Sequence, residues 1–466
     1  MTPTLLWNAH EAQVATGGHL SGPSDWNASG VSIDSRSVAA GDLFIALAGP
    51  NHDGHDYVKA AIESGAACAL VHKIPEGCDG LPLLVVADTM KGLEDLGRAA
   101  RARTDARILA VTGSVGKTST KEMAALVLSR QGATHWSVGS FNNHWGVPLS
   151  LARMPAASKF AVFELGMNHP GEITPLVAMV RPHAAIVTTV ELVHAGHFAT
   201  IEEIADAKAE IFSGLEPDGV AVLNRDNRHY RRLSRAATAA GVTRQLTFGS
   251  HIDADARLLD CAVDPKETAV FALLRDGALA YRIGVPGVHW AMNSLAVLLA
   301  VGALGAEVET AARALADMTP PKGRGERHLI KAGTGTAELI DESYNASPVS
   351  MKAAIATLAA ARPGKGGRRI AVLGDMLELG EQSAALHAGV AQAVTAWNID
   401  VVHTAGPLSA ALRDALPEDR RGIHADDSAA LAPLVKAAVK AGDVVMVKGS
   451  AGSRMGRVVK ALQEGA

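Results

Sequence analysis

A glycine-rich turn between an apolar stretch and a helical pattern constrains this chain most. The turn reads Thr112-Gly113-Ser114-Val115-Gly116-Lys117-Thr118-Ser119 and follows the apolar residues 108–111. Glycines let backbone N–H groups face an anion, the helix N-terminus adds its positive dipole end, Lys117 adds a charge, and Thr118 offers a hydroxyl to Mg²⁺. Because Val111 stands where a longer phosphate loop has its first glycine, this is the short form. A plain strand-to-helix turn with a surface lysine is the alternative, and the flanking patterns favour the phosphate site.

Composition excludes several classes of protein. The chain has 466 residues, 48% of them hydrophobic, and 44 Lys+Arg against 48 Asp+Glu give a net charge of −4. This balance gives no sign of a nucleic-acid or anionic-membrane surface, and the apolar content excludes disorder. The three cysteines form no CxxC pair, which is typical of a reducing compartment. The N-terminus lacks a signal-peptide pattern and the longest apolar run, near 296–306, is too short to span a bilayer, so a cytoplasmic protein is expected.

Short apolar stretches alternate with helical patterns, which predicts parallel sheets between helices. The predicted strands are Ile108–Val111, Phe160–Leu165, Ala184–Thr189, Val220–Leu223, Glu338–Ile340, Arg369–Leu373, Val401–His403 and Val444–Val447. The length suits about three domains, and the segment 319–326, rich in Pro and Gly, is the predicted hinge before the last. The predicted fold is α/β in three domains: a small N-terminal domain (1–103), a central P-loop mononucleotide-binding domain with a parallel sheet (104–319), and a C-terminal Rossmann-like domain (320–466).

Polar residues gather at the carboxyl ends of the predicted central strands, where open parallel sheets bind their ligands. Glu164 lies inside the second strand, and His194 lies in the segment 191–197 after the third. His194 alone is also consistent with a hydrogen-bonded loop histidine. Asn142 and Asn143 precede a turn, which by itself also favours asparagine. The convergence of these segments predicts a catalytic site.

Lys208 lies on the apolar side of a predicted helix that begins after Thr200. Thr200 and Glu203 form a capping-box pattern, and the apolar stripe of this helix includes Ile204 and Ile211. A lysine there can extend to the rim of the apolar surface, which is the ordinary interpretation. If the ammonium is buried instead, it needs an oppositely charged partner or a covalent modification. Carbamoylation is one such modification, and it would turn the lysine into an anion that binds a hard cation. Glu164, His194 and carbamoyl-Lys208 are then a plausible Mg²⁺ site.

Similar polar segments occur in the other two predicted domains. In the C-terminal domain they are 341–345, 374–376 and 448–450, each after a predicted strand. In the N-terminal domain they are Ser35-Arg36 and the turn 53–55. Loops between elements are where ligands are commonly bound, although ordinary polar turns explain the N-terminal segments equally well.

With these motifs in this order, the sequence resembles the Mur ligase family over nearly the whole chain. The family loop T-G-[ST]-x-G-K-T-[ST] stands at 112–119, its E-[LM]-G glutamate is Glu164, its histidine is His194, and its carbamoylated lysine is Lys208 before Glu210. The family closes its central domain against adenine with a glycine, a histidine and an asparagine, to which Gly287, His289 and Asn293 are similar. Arg324 is similar to the arginine of the family's linker.

The resemblance implies an ATP-dependent amide ligase. The motifs 141–143, 341–348, 374–380 and 447–450 are similar to those of the branch that joins D-alanyl-D-alanine to a UDP-N-acetylmuramoyl tripeptide in peptidoglycan precursor synthesis. That branch usually has D-D-S-Y-N-A-N-P where this chain has Glu342 and Ser347. The implied partners are these two substrates, the implied cofactors are ATP and Mg²⁺ with a carbamoylated Lys208, and a monomer is expected.

The resemblance also assigns residues to roles. Implied catalytic residues are Lys117, Glu164, His194 and Lys208, and implied metal ligands are Thr118, Glu164, His194 and Lys208. Nucleotide would be bound by Gly113, Ser114, Val115, Gly116, Lys117, Thr118, Ser119, Asn293 and Arg324, and the other substrates by Ser35, Arg36, Asn142, Asn143, Asp341, Tyr344 and Asn345.

Two alternatives stay open at this point. A folylpolyglutamate synthase also joins an amino acid to a carboxylate with ATP, but lacks the 142–143 and 341–348 patterns in this form. A non-catalytic scaffold whose phosphate-loop domain switches the angle of its neighbours has no need of Lys208 on an apolar face. The sequence leaves undecided whether the third residue of the tripeptide is lysine or diaminopimelate.

Overall fold

The computed structural model describes residues 4–49, 52–192, 196 and 198–464. Within this part of the chain, sheets of two, five, nine and six strands alternate with helices. Most strand pairs are parallel, which confirms the predicted α/β class. The predicted domain boundaries stay predictions.

The N-terminal part is built on the five-stranded sheet. In spatial order its strands are His19–Ser21, Leu83–Val85, Cys68–Val71, Asp42–Ile45 and Gly30–Ser32. The first pair is antiparallel and the others are parallel. A small antiparallel pair, Trp7–Asn8 with Asn27–Ala28, lies beside it. The helices are Ala9–Thr16, Val58–Glu63 and Thr89–Ala102.

The central part contains the nine-stranded sheet. In spatial order its strands are Gly277–Ile283, Thr268–Leu274, Ala256–Val263, Arg244–Gly249, Val220–Asn224, Ala184–Val187, Arg107–Thr112, Phe160–Glu164 and Thr134–Trp136. The four central strands predicted from sequence are present. The sequence did not predict the antiparallel additions Thr268–Leu274 and Gly277–Ile283.

Helices cover both faces of this sheet, which explains why its inner strands are apolar on both faces except at their ends. Leu109 and Val111 face one core, Ile108 and Ala110 face the other, and all four are fully buried. The helices of the central part are Lys117–Ser129, Gly146–Ala152, Ile173–Val180, Ile201–Ala209, Tyr230–Ala239, Val288–Ala303 and Val308–Ala314.

The C-terminal part contains the six-stranded sheet. In spatial order its strands are Glu326–Ala332, Gly335–Glu342, Val444–Lys448, Arg369–Gly374, Val401–Ala405 and Arg421–Ala425. Only the first of these pairs is antiparallel. The helices are Pro348–Ala360, Ser383–Ala388, Val390–Ala396, Ala410–Ala415, Ser428–Ala438 and Gly456–Gln463.

Buried polar side chains join the N-terminal part to the central part. The Arg101 guanidinium donates to the carbonyl oxygens of Val180 and Arg181, each at 2.9 Å. The indole of Trp7 donates to the Ala152 carbonyl at 2.9 Å. Because Arg101 and Trp7 are 6% and 1% exposed, these bonds are shielded from water and fix the two parts together.

The C-terminal part faces the central part across a cavity of about 1240 Å³. The carboxyl ends of strands from both sheets open into it, as open parallel sheets require of a ligand site. Among the described residues, the structure has no helix that is both long and apolar enough to cross a membrane.

Candidate active site

The phosphate loop lies at the centre of the cavity wall, between the strand Arg107–Thr112 and the helix Lys117–Ser129. Two of its positions require glycine. Gly113 has φ +147°, and a Cβ there would lie 1.9 Å from the Thr188 hydroxyl. Gly116 has φ +85°, and a Cβ there would lie 2.8 Å from the Asn293 amide nitrogen. The loop therefore packs against Thr188 and Asn293 too closely for a side chain at either position, and both glycines adopt a backbone conformation that other residues rarely take.

The Lys117 ammonium lies across its own loop. Its Nζ donates to the Gly113 carbonyl at 2.7 Å. Burial lowers the pKa of Lys117 and the charge of Arg324 lowers it further, while the Glu164 carboxylate acts in the opposite direction. An anion in the loop would replace the carbonyl as the partner of this ammonium.

Glu164 ends the strand Phe160–Glu164 and holds two polar side chains together. Its Oε2 accepts from the Thr118 hydroxyl at 2.8 Å, and its Oε1 accepts from the Asn142 amide at 2.8 Å. Glu164 is 2% exposed and Thr118 is 6% exposed. A buried hydroxyl and carboxylate beside a phosphate loop are hard oxygen donors of the kind that Mg²⁺ prefers.

The end of the strand Ala184–Val187 supports the loop from the other side. The Thr188 hydroxyl donates to the Val115 carbonyl at 2.6 Å, and the Ser114 N–H donates to the Thr189 carbonyl at 2.8 Å. The sequence analysis did not single out Thr188 or Thr189. The available signal was their position after an apolar strand, where polar residues face a ligand edge.

Lys208 is buried, so the ordinary interpretation, in which it extends to the rim of the apolar surface, is wrong. The helix Ile201–Ala209 begins at Thr200, whose hydroxyl accepts from the Glu203 N–H, and Lys208 is 2% exposed. Its pKa is lowered well below the ordinary value, first by burial and then by the charge of Lys117. Lys208 is therefore close enough to the phosphate loop for the charge of Lys117 to affect its pKa. It does not line the cavity. The predicted ligand His194 lies outside the described residues.

Glu210 has a structural role in this region. Its carboxylate accepts from the backbone N–H groups of Gly171, Ile173 and Thr174 at 2.6–3.0 Å. These groups lie at the start of the helix Ile173–Val180, where a carboxylate is favoured by the helix dipole. Glu210, two residues after Lys208, thus fixes the end of the helix Ile201–Ala209 to the neighbouring helix.

The helix Val288–Ala303 brings Asn293 and His289 to the cavity. The His289 side chain is exposed at the cavity wall. Gly287 precedes this helix with φ +135°, and a Cβ there would lie 2.7 Å from the His289 ring. The His289 ring can therefore occupy its position only when residue 287 has no side chain.

The C-terminal part contributes a cation above an aromatic ring and a buried ion pair. The Arg324 guanidinium lies 4.2 Å from the centre of the Tyr344 ring, a cation–π contact. Lys448 is 4% exposed and donates to the Glu342 carboxylate at 3.0 Å and to the Asn345 carbonyl at 2.9 Å. Arg324, Tyr344, Asn345, Glu342 and Lys448 all line the cavity.

Four of the residues predicted to bind substrate do not line this cavity. Asp341 points to the other face of its strand, where one ligand atom each of Asp341, Glu326 and His328 lie within 4.8 Å of one another. Asn143 accepts from the N–H of Gly146, the first residue of the helix Gly146–Ala152, at 3.0 Å. Ser35 and Arg36 lie in the N-terminal part, where Arg36 pairs with Asp34 at 2.6 Å and holds the pKa of Asp34 at about 2.

Comparisons with known proteins agree with this geometry. Residues 27–102, 111–301 and 323–451 match the families described as "Mur ligase family, catalytic domain", "Mur ligase middle domain" and "Mur ligase, glutamate ligase domain". The chain is 36% identical to the UDP-N-acetylmuramoyl-tripeptide–D-alanyl-D-alanine ligase of Escherichia coli, over 96% of both chains.

Solved structures extend the likeness to the fold. The crystal structure of MurF from Acinetobacter baumannii superposes with a TM-score of 0.85 at 28% identity, over 99% of this chain and 100% of that one. MurF of Thermotoga maritima, solved in complex with ADP, gives 0.77 at 26% identity over 93% and 97%. The matches run nearly end to end, and the chain belongs to the Mur ligase family.

Proposed function

We propose that the protein is an ATP-dependent ligase that joins D-alanyl-D-alanine to a UDP-N-acetylmuramoyl tripeptide. The observation that carries this proposal is the shared cavity. One wall holds the phosphate loop with Lys117, Thr118 and Glu164, and the other holds Arg324, Tyr344 and Lys448. The naming of the E. coli relative and the ADP in the T. maritima structure support the substrates and the nucleotide.

The reaction needs two anions to meet. The terminal carboxylate of the tripeptide attacks the γ-phosphorus of ATP, the bond to ADP breaks, and an acyl phosphate forms. The amine of D-alanyl-D-alanine then attacks the acyl carbonyl, phosphate leaves, and the amine loses a proton to solvent. Positioning and charge neutralisation are therefore the main catalytic tasks.

The side chains of the loop suit the first step. Lys117 would exchange its bond to the Gly113 carbonyl for one to a phosphate oxygen. Arg324 and Lys448, on the facing wall, would add positive charge as the two walls approach. Once the two walls have approached each other, the cavity would also keep water from an acyl phosphate.

Mg²⁺ is proposed to bind at Thr118 and Glu164, whose buried oxygens fit a hard cation. When bound, it would neutralise charge on the nucleotide phosphates. A carbamoylated Lys208 and His194 are proposed for a second cation. The lowered pKa of Lys208 supports this, because carbamoylation needs a neutral amine. Binding of the UDP-sugar near Ser35 and Arg36, a cytoplasmic location and a monomeric state stay predictions.

The test is phosphate release from ATP and Mg²⁺ with UDP-muramoyl tripeptide, with and without D-alanyl-D-alanine, followed by mass spectrometry. We expect dipeptide-dependent release and the mass of a UDP-muramoyl pentapeptide. Running the lysine and diaminopimelate tripeptides side by side would identify the third residue. Nucleotide binding without release under any condition would instead favour the scaffold, and release with a folate acceptor alone would favour the folylpolyglutamate synthase.

A further inference from the structure

A second lysine, Lys121, is completely buried beside the phosphate loop. It lies one turn after Lys117 on the helix Lys117–Ser129, and its exposed fraction is 0%. A buried ammonium is costly unless its N–H groups all have partners. Lys121 lies outside the residues assigned so far to nucleotide or metal.

All three N–H groups of this ammonium are used. Its Nζ donates to the Ser137 carbonyl at 2.7 Å and to the Gly139 carbonyl at 3.0 Å, and it lies 2.7 Å from Oε1 of Glu122. The two carbonyls belong to the loop between the strand Thr134–Trp136 and the helix Gly146–Ala152. Lys121 therefore ties the phosphate-loop helix to that loop.

The same loop holds Glu164. The Ser137 hydroxyl accepts from the Glu164 N–H at 3.1 Å, and the Asn142 amide donates to Glu164 Oε1 at 2.8 Å. The Asn142 carbonyl also accepts from the Gly166 N–H at 2.8 Å. Ser137 and Asn142 thus both contact the strand end that carries the carboxylate, and Lys121 binds the same loop at Ser137 and Gly139.

We propose that Lys121 is a positioning residue for the Thr118–Glu164 cation site. It holds residues 137–142 so that Asn142 occupies one oxygen of Glu164 and leaves the carboxylate oriented towards Thr118. This inference rests on the proposed function, because it assumes that a cation binds at Thr118 and Glu164. A lysine suits the task since an apolar residue would pack there but leave two loop carbonyls without a donor.

The experiment measures cation binding directly. Mn²⁺ is titrated into the full-length protein with a non-hydrolysable ATP analogue, and free Mn²⁺ is followed by electron paramagnetic resonance. Lys121→Met removes the three N–H groups and keeps most of the volume. We expect Mn²⁺ affinity to fall by about 10-fold or more, the range seen when groups that orient a metal ligand are lost.

Val127→Ala is the matched control. Val127 is fully buried on the same helix but faces the core instead of the loop. Loss of packing should lower its thermal midpoint as well, while its Mn²⁺ affinity stays within about twofold of wild type. If Lys121→Met does not fold, Lys121→Gln, which retains an amide donor, replaces it, with an intermediate loss of affinity expected.

The outcomes separate the two ideas. Equal Mn²⁺ affinities in the Lys121 and Val127 variants would overturn the positioning role and leave Lys121 a structural residue. Absence of nucleotide-dependent Mn²⁺ binding in the wild type would overturn the cation site itself, and the positioning role with it.

Discussion

Replacement of Glu164 by glutamine should separate the chemistry of the site from its stability. Both hydrogen bonds of the carboxylate can survive, since the oxygen of the substituted amide can accept from Asn142 and its nitrogen can donate to the Thr118 hydroxyl. What the variant removes is one negative charge. The Glu164 side chain is 2% exposed, so the charge is buried in the wild type.

The expected magnitudes differ strongly between folding and activity. Each charge-assisted bond weakens by about 1 kcal/mol when it becomes neutral, a loss of about 2 kcal/mol for the pair. Relief from burying a carboxylate offsets part or all of this. We therefore expect the free energy of unfolding to change by less than about 2 kcal/mol. Activity should fall by about 10²–10³-fold, as when one preorganised electrostatic group is lost from an active site.

The assays are urea unfolding and dipeptide-dependent phosphate release at saturating Mg²⁺. Glu164→Ala is the comparison, because it leaves the buried Thr118 hydroxyl and the half-buried Asn142 amide without their acceptor and should cost about 1–3 kcal/mol more in stability. An E164Q variant with more than about a tenth of wild-type activity would refute the assignment of Glu164 to the cation. An E164Q variant as unstable as E164A would refute the hydrogen-bond exchange.

Three further perturbations test other parts of the structure. Lys117→Met should lower kcat/KM by about 10²–10³-fold with little loss of stability, because the only partners of its ammonium among the described residues are loop carbonyls; near-normal turnover would exclude it from phosphate binding. Lys208→Ala should lose most activity and regain part of it with added short-chain carboxylates, and near-normal activity without any additive would remove carbamoylation. His403 is 4% exposed, accepts from the Ile423 N–H, and has its pKa lowered to about 4 by burial. Because the unfolded chain binds that proton near about pH 6.5, stability should fall as the pH drops from about 6.5 towards 4, by about 2 kcal/mol at about pH 5. Urea unfolding of wild type and His403→Gln at about pH 7.5 and 5 measures this, and an equal pH dependence in the two would contradict it.

Local patterns were enough to predict the inner strands of the two large sheets and the place of Lys208 on the apolar side of its helix, but not that its ammonium is buried. Continuous apolar runs such as 108–111 occur where a sheet is covered on both faces, and the roughly 100° periodicity of the helix placed Lys208 on its inner side. The phosphate loop was predicted for a similar reason, because its glycines, lysine and threonine are contiguous. In each case, the physical cause lies within a few residues of its effect.

Features that depend on distant pairing were not predictable from the sequence. The steric demand at Gly113 comes from Thr188, and the burial of Lys121 depends on a loop sixteen residues away. The prediction for Asp341 depended on which face of its strand meets the cavity, and register places Glu342 there instead. The antiparallel strands 268–274 and 277–283 extend a sheet whose inner strands alone showed the parallel pattern.

The buried bonds of Arg101 and Trp7 have a consequence for substrate selection. Bonds from Arg101 to Val180 and Arg181, and from Trp7 to Ala152, leave little freedom for the N-terminal part to move against the phosphate loop. Under the proposed binding of the UDP-sugar by the N-terminal part, a molecule held there at one end must place its other end at a fixed distance. We expect this fixed distance to select for peptide length. A precursor one residue too short would bind without bringing its carboxylate to the nucleotide.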